Sequence, residues 1–210
     1  MLHPLSFKLP DHLFLLLTLS MVLGVFRPST GQGQEWNQWM GPDRSGIWIN
    51  GPDPDTLTPD MVNTVWEVPV GSGYSGPTLA GGRVYLMDYQ QGSEHVRCFD
   101  QRDGREIWSF SYPVIYNVGY PTGPRTSVQI FDGKAYSIGT MGHLYCFDAQ
   151  SGAVIWQVDG REQYHSRVPT WGLASHPILV DDLLIVQLGG EPDACLVAFH
   201  KTTGKEMWRA

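Results

Sequence analysis

Apolar and polar positions along this chain recur as strand, tight turn and strand, with no helical stripe. Pro77-Thr-Leu-Ala-Gly-Gly82-Arg-Val-Tyr-Leu, Val128-Gln-Ile-Phe-Asp-Gly133-Lys-Ala-Tyr-Ser and Pro177-Ile-Leu-Val-Asp-Asp182-Leu-Leu-Ile-Val align residue for residue. Gly-Gly and Asp-Gly between apolar runs predict two-residue hairpins, because a type I′ turn needs positive φ at both central positions. Asp181-Asp182 predicts a weaker turn of the same kind.

After each hairpin comes an eleven-residue pattern. The copies are Cys98-Phe-Asp-Gln-Arg-Asp-Gly104-Arg-Glu-Ile-Trp108, Cys146-Phe-Asp-Ala-Gln-Ser-Gly152-Ala-Val-Ile-Trp156 and Ala198-Phe-His-Lys-Thr-Thr-Gly204-Lys-Glu-Met-Trp208. The pattern predicts a third strand over 96–99, 144–147 and 196–199, a glycine turn, and a fourth strand running through the tryptophan. Phe99, Phe147 and Phe199 face one side of the third strand and Cys98, Cys146 and Ala198 the other, so both faces are apolar, as in a sheet covered on both sides. Asp100 and Asp148 open the turn by accepting backbone N–H groups; His200 replaces that carboxylate and should weaken the third turn. Tryptophans 48 and 52 residues apart mark stacked four-stranded units, the spacing of propeller blades.

Composition agrees. Of 210 residues, 42% are hydrophobic, 12% aromatic and only 17% charged, which argues against disorder, while 24 glycines and 15 prolines supply the turns of an all-β chain. The formal charge is −7 and basic residues do not cluster, so the chain lacks the electrostatic footprint of a nucleic-acid binder. Cys98 and Cys146 occupy one offset in successive repeats, too far apart for a disulfide, and with Cys195 they are expected as free thiols.

Ahead of the repeats, Lys8 precedes an apolar run over 13–26 and the small residues of Arg27-Pro-Ser-Thr-Gly31, the layout of a secretory signal over 1–31. Residues 32–61, with Trp36, Trp39 and Trp48, predict an irregular arm packed on the domain. Residues 63–70, around Trp66, predict one further outer strand before the first full repeat.

The eleven-residue pattern resembles the tryptophan-docking repeat of quinoprotein-type β-propellers, Ala-x-Asp-x-x-Thr-Gly-Lys-x-x-Trp; the third copy keeps Ala198, Thr203-Gly204-Lys205 and Trp208. Trp36-Asn-Gln-Trp-Met-Gly-Pro-Asp-Arg-Ser-Gly46 is similar to the N-terminal segment of exported propeller-repeat proteins of planctomycete-like bacteria. The resemblance implies three blades and an outer strand of a seven- or eight-bladed ring over 62–210. It implies tryptophans Trp66, Trp108, Trp156 and Trp208 that dock between blades beside Gly104, Gly152 and Gly204. The family includes alcohol and sugar dehydrogenases using pyrroloquinoline quinone and calcium, and also non-catalytic scaffolds. The chain lacks the vicinal Cys-Cys pair of the dehydrogenases and no motif carries their calcium ligands, so no metal site is assigned. The implied function is an exported binding or scaffold module, with a fragment of a quinone-dependent dehydrogenase as the alternative. Open propeller edges add the expectation of an oligomer.

Ligands of propellers sit at the channel mouth, beside the lead-ins to the innermost strands. Those lead-ins are Tyr74-Ser75-Gly76, Arg125-Thr126-Ser127 and Ala174-Ser175-His176. Ser75, Thr126 and Ser175 recur as hydroxyls, whereas Tyr74, Arg125 and His176 differ and are the specificity candidates: Arg125 for an anionic group, including a quinone carboxylate, and His176 as ligand or base. The hydroxyls have a second, structural reading as partners of inner-strand backbone groups. The preceding loops, with Tyr112, Tyr116, Tyr120, Tyr164 and Trp171, are long and aromatic, which suits a binding rim.

Overall fold

The computed structural model describes residues 35–48, 55 and 58–210. The secretory signal expected over 1–31 lies outside the described residues. Three four-stranded antiparallel sheets follow one another along the chain, each in simple sequential order. The first holds β1 (Thr78–Ala80), β2 (Arg83–Gln90), β3 (Ser93–Asp100) and β4 (Glu106–Pro113). The second holds β5 (Gln129–Phe131), β6 (Lys134–Ile138), β7 (His143–Asp148) and β8 (Val154–Asp159). The third holds β9 (Ile178–Val180), β10 (Leu183–Gly190), β11 (Ala194–His200) and β12 (Glu206–Arg209), after a one-turn helix α1 (Gly160–Tyr164).

The hairpins form where the turn residues allow them. Gly81 and Gly82 both have positive φ, as do Asp132 and Gly133; in the third hairpin only Asp181 does, in line with the weaker Asp-Asp turn. The glycine turns close alike, with Gly104, Gly152 and Gly204 N–H donating to the carbonyls of Asp100, Asp148 and His200, all at 2.9 Å. Asp100 Oδ1 accepts from Arg102 N–H at 2.9 Å and Asp148 Oδ1 from Ser151 N–H at 2.8 Å. His200 keeps the turn through Nδ1, which accepts from Thr202 N–H at a longer 3.3 Å.

Packing is between blades. One core cluster joins Tyr85, Met87, Val96, Cys98 and Trp108 of the first sheet to Val128, Ile130, Tyr145 and Phe147 of the second. The other joins Tyr136, Ile138, Leu144, Cys146 and Trp156 to Leu184, Val186, Leu188, Val197 and Phe199 of the third. The middle sheet is thus apolar on both faces because both are covered. Cys98 and Cys146 are buried and free, and burial pushes the Cys146 thiol up to about 12; Cys195 is free and exposed.

The tryptophans tie each blade to the next. Trp66, Trp108 and Trp156 donate Nε1–H to the carbonyls of Gln101, Ala149 and Lys201, at 2.8, 3.1 and 3.0 Å. Each acceptor stands three residues before the turn glycine, and a Cβ on Gly104, Gly152 or Gly204 would come within 2.6–2.7 Å of the incoming indole. Trp208 meets no such turn among the described residues and stays 40% exposed, against 9% for Trp108 and Trp156. One expectation needs correction: residues 63–70 form no strand, although Trp66 docks like its equivalents. No neighbouring strand among the described residues offers them a hydrogen-bond ladder, and Val62 and Val65 are exposed.

Candidate ligand-binding rim

Because each sheet runs antiparallel in sequence order, the lead-ins to β1, β5 and β9 share one end of the blades with the β2–β3, β6–β7 and β10–β11 turns and with the chain leaving β4 and β8. That end carries the rim. The three hydroxyls at the lead-ins tie down the strand beside them, each to a residue twelve further along. Ser75 Oγ accepts from Met87 N–H at 3.5 Å, Thr126 Oγ1 donates to Ile138 O at 2.6 Å, and Ser175 Oγ donates to Gln187 Oε1 at 2.7 Å. Their bonds are internal to the blades.

Arg125 is spent on the rim itself. Its Nε–H donates to Trp171 O at 2.8 Å and Nη2–H to Pro121 O at 2.8 Å, and Nη1–H bonds Gly123 O. The guanidinium stacks 5.3 Å from the Tyr74 ring centre and 5.9 Å from that of Tyr116. One side chain therefore links the loop after β4 to the loop after α1. Around it, Tyr120 packs at 5.6 Å from Tyr74 and edge-on at 4.8 Å to Trp171. Tyr74, Tyr120 and Trp171 are 50%, 44% and 60% exposed. They make an aromatic surface, pinned from beneath by a cation already satisfied by carbonyls.

His176 stands elsewhere. Its ring stacks on Trp39 at 4.7 Å and 15°, and its Nε2 is buried without a partner. Burial, with the Arg44 charge second, lowers its pKa to about 4, so the imidazole is neutral at pH 7. The structure thus joins Tyr74 to Arg125 but places His176 with the N-terminal arm.

A buried carboxylate under the rim escaped the sequence reading. Glu94, fully buried, accepts from Tyr112 Oη–H, from Tyr116 Oη–H at 2.6 Å and from Thr140 N–H at 3.1 Å. Thr140 Oγ1 passes the network on to Gly123 O at 3.0 Å. Burial, then the Glu94 charge, holds the Tyr112 and Tyr116 phenols well above their usual range, so they stay donors. Glu94 sits four residues before Cys98, where the other repeats have Gly142 and Ala194; a carboxylate at a small-residue offset was the available signal. Beside this network a polar cavity of about 490 Å³ is lined by His143, Asp159, Arg161, Glu162, His165 and Ser166, with His143 Nε2 3.5 Å from Asp159 Oδ2. Among the described residues, no three His, Cys, Asp or Glu side chains are gathered where they could hold a metal ion.

Blades of four strands locked by tryptophan on glycine define a β-propeller protein of the quinoprotein-like repeat class. A family profile described as outer membrane protein assembly factor BamB matches residues 92–210, more than half of the chain, and the protein belongs to that pyrroloquinoline-quinone-like repeat family. It is 31% identical over 104 residues to the quinoprotein alcohol dehydrogenase PedH of Pseudomonas putida, covering 50% of this chain and 16% of that protein. It is 28% identical over 118 residues to BamB of Shewanella oneidensis, covering 55% of this chain and 25% of that one. The chain therefore spans a quarter or less of the length of these relatives. In fold it resembles the quinohemoprotein alcohol dehydrogenase of Comamonas testosteroni, with a TM-score of 0.51 at 20% identity over 67% of this chain and 21% of that structure.

Proposed function

We propose that the chain is an exported propeller module that binds a partner through its rim, as a scaffold and not as a catalyst. The observation that carries this reading is the pinned aromatic surface. Tyr74, Tyr120 and Trp171 are exposed together, on loops held by Arg125 and, deeper, by the buried Glu94, which is rigid amphipathic contact area at low ordering entropy. The likeness to BamB, an outer membrane assembly factor by name, supports a binding role, and the signal-like residues 1–31 support export. No helix among the described residues is long and apolar enough to cross a membrane.

The rival reading, a fragment of a quinone-dependent dehydrogenase, draws on the likeness to PedH. The residues present fit the cofactor poorly. Arg125, the cation suited to a quinone carboxylate, already donates to three carbonyls, and among the described residues no three His, Cys, Asp or Glu side chains gather for a metal ion.

A photo-reactive residue in place of Trp171, in cells exporting the protein, tests the binding role. Cross-linked species should form from position 171 and not from the exposed Asp103, in the β3–β4 turn at the opposite end of the blades. Equal capture from both positions refutes it. In parallel, a quinone-dependent absorption band with dye reduction, on adding pyrroloquinoline quinone and calcium to the purified protein, would favour the dehydrogenase.

A further inference from the structure

The first strand of every blade is a sheet edge, and a bare edge is a template for another chain. In this protein the N-terminal arm pairs with the first two and reaches the lead-in to the third. Trp36 exchanges both backbone bonds with Leu79 of β1, at 2.8 and 2.9 Å. Asn37 O accepts from Ile130 N–H of β5 at 2.8 Å, and its Nδ2–H donates back to Ile130 O at 3.1 Å. Trp39 then stacks on His176 at the lead-in to β9, and Arg44 bonds Pro177 O there and Gln129 Oε1 at 3.4 Å.

Each blade is met by only one or two residues of the arm, and Trp39 remains 45% exposed, so the attachment is a chain of small contacts and not a packed layer. The last contact is also selective. Pro177 O and Gln129 Oε1 present acceptors, and a Gln129 amide N–H is itself given to Pro177 O, so the site takes a group that donates to both oxygens, as Arg44 Nη2 does.

The geometry points to a peptide-binding face along β1, β5 and the lead-in to β9 that the arm fills in cis and can vacate. Its occupant in trans is an extended segment of a partner protein with two aromatic residues three apart and an arginine five further on, the chemistry of Trp36, Trp39 and Arg44. Main-chain pairing to Leu79 and Ile130 supplies affinity, and the stacking and guanidinium sites supply specificity. The tethered arm competes at an effective concentration of about millimolar, so the face is masked until the arm is displaced.

The test uses the full chain with Trp36→Ala and Arg44→Ala together, and a fluorescent peptide of residues 35–48. The peptide should bind the variant at least about tenfold more tightly than the wild type, a difference of about 1.4 kcal/mol. A peptide with Trp39 and Arg44 replaced by alanine should not bind. Equal binding to both chains, or none to a variant whose far-UV circular dichroism matches wild type, overturns the proposal. In the unmodified protein the Leu79 and Ile130 amides should exchange hydrogen together and faster than Val84 in β2; exchange only with global unfolding overturns it independently. Sedimentation of the wild type as an arm-exchanged dimer would assign the face to a second copy instead and overturn the partner named here.

Discussion

Gly152→Ala isolates what the tryptophan-on-glycine contact contributes. Gly152 has φ +74°, so an alanine there bears a left-handed backbone cost of about 1–2 kcal/mol. Its Cβ would also stand 2.6 Å from Trp108 Cδ2, and forcing the buried indole aside adds about 1–3 kcal/mol. Gly133 is the internal control: φ is +70°, but nothing lies within 4 Å of the Cβ position, so Gly133→Ala should show the backbone cost alone. The expected sum for Gly152→Ala is about 2–5 kcal/mol. Trp108→Ala by itself should cost about 3–5 kcal/mol, since the ring is buried and Ala149 O loses its donor. In the Trp108→Ala background the steric part disappears, and the same glycine substitution should fall back to about 1–2 kcal/mol. Urea unfolding followed by far-UV circular dichroism reads all five proteins without relying on tryptophan emission. If Gly152→Ala costs the same with and without Trp108, or no more than Gly133→Ala, the contact does not lock the blades and the reasoning fails.

Three further outcomes are expected. Glu94→Ala leaves Tyr112, Tyr116 and the Thr140 amide without their shared acceptor and should cost about 3–5 kcal/mol, with Glu94→Gln recovering part; full recovery in Glu94→Gln would show that packing, not acceptance by both carboxylate oxygens, matters. His176 is held neutral, its pKa depressed to about 4, so its stabilising effect is complete above its unfolded value near 6.5 and is lost as pH falls from there to about 4. Stability of His176→Phe, which keeps a ring against Trp39, should fall less across that window, and an unchanged slope would refute the assignment. Cys195 should react with a thiol reagent in the native protein while Cys98 and Cys146 react only on unfolding, as the titre before and after denaturant will show.

The hairpins and glycine turns were legible residue by residue because they rest on local rules: positive φ at Asp-Gly, a carboxylate opening a turn, alternation along a strand. Residues 63–70 were the exception, since strand propensity at Val65 and Val68 forms no ladder without a neighbour. The rim was legible only in part. Tyr74 and Arg125 were singled out and do meet, but the sequence does not say that the Arg125 donors are spent on Trp171, Gly123 and Pro121, contacts 2 to 46 residues away along the chain. His176 was placed by repeat offset with the rim residues and lies against Trp39, 137 positions earlier by their numbers. Glu94 was not singled out, because its partners Tyr116 and Thr140 meet it only in the folded blades.

By itself, then, the sequence determined the strands and turns of each blade, because these are set by neighbours within about ten residues; the glycine that each indole meets lies in the next repeat, 38 to 48 positions on by their numbers. The tertiary structure alone decided which side chains are free to meet a ligand. It showed Arg125 and Glu94 consumed in holding the rim, Tyr74, Tyr120 and Trp171 left outward, and the arm paired to the edges of β1 and β5 and stacked at the lead-in to β9. Those assignments depend on hydrogen bonds across blades, and a donor or acceptor is committed only when its partner arrives in space.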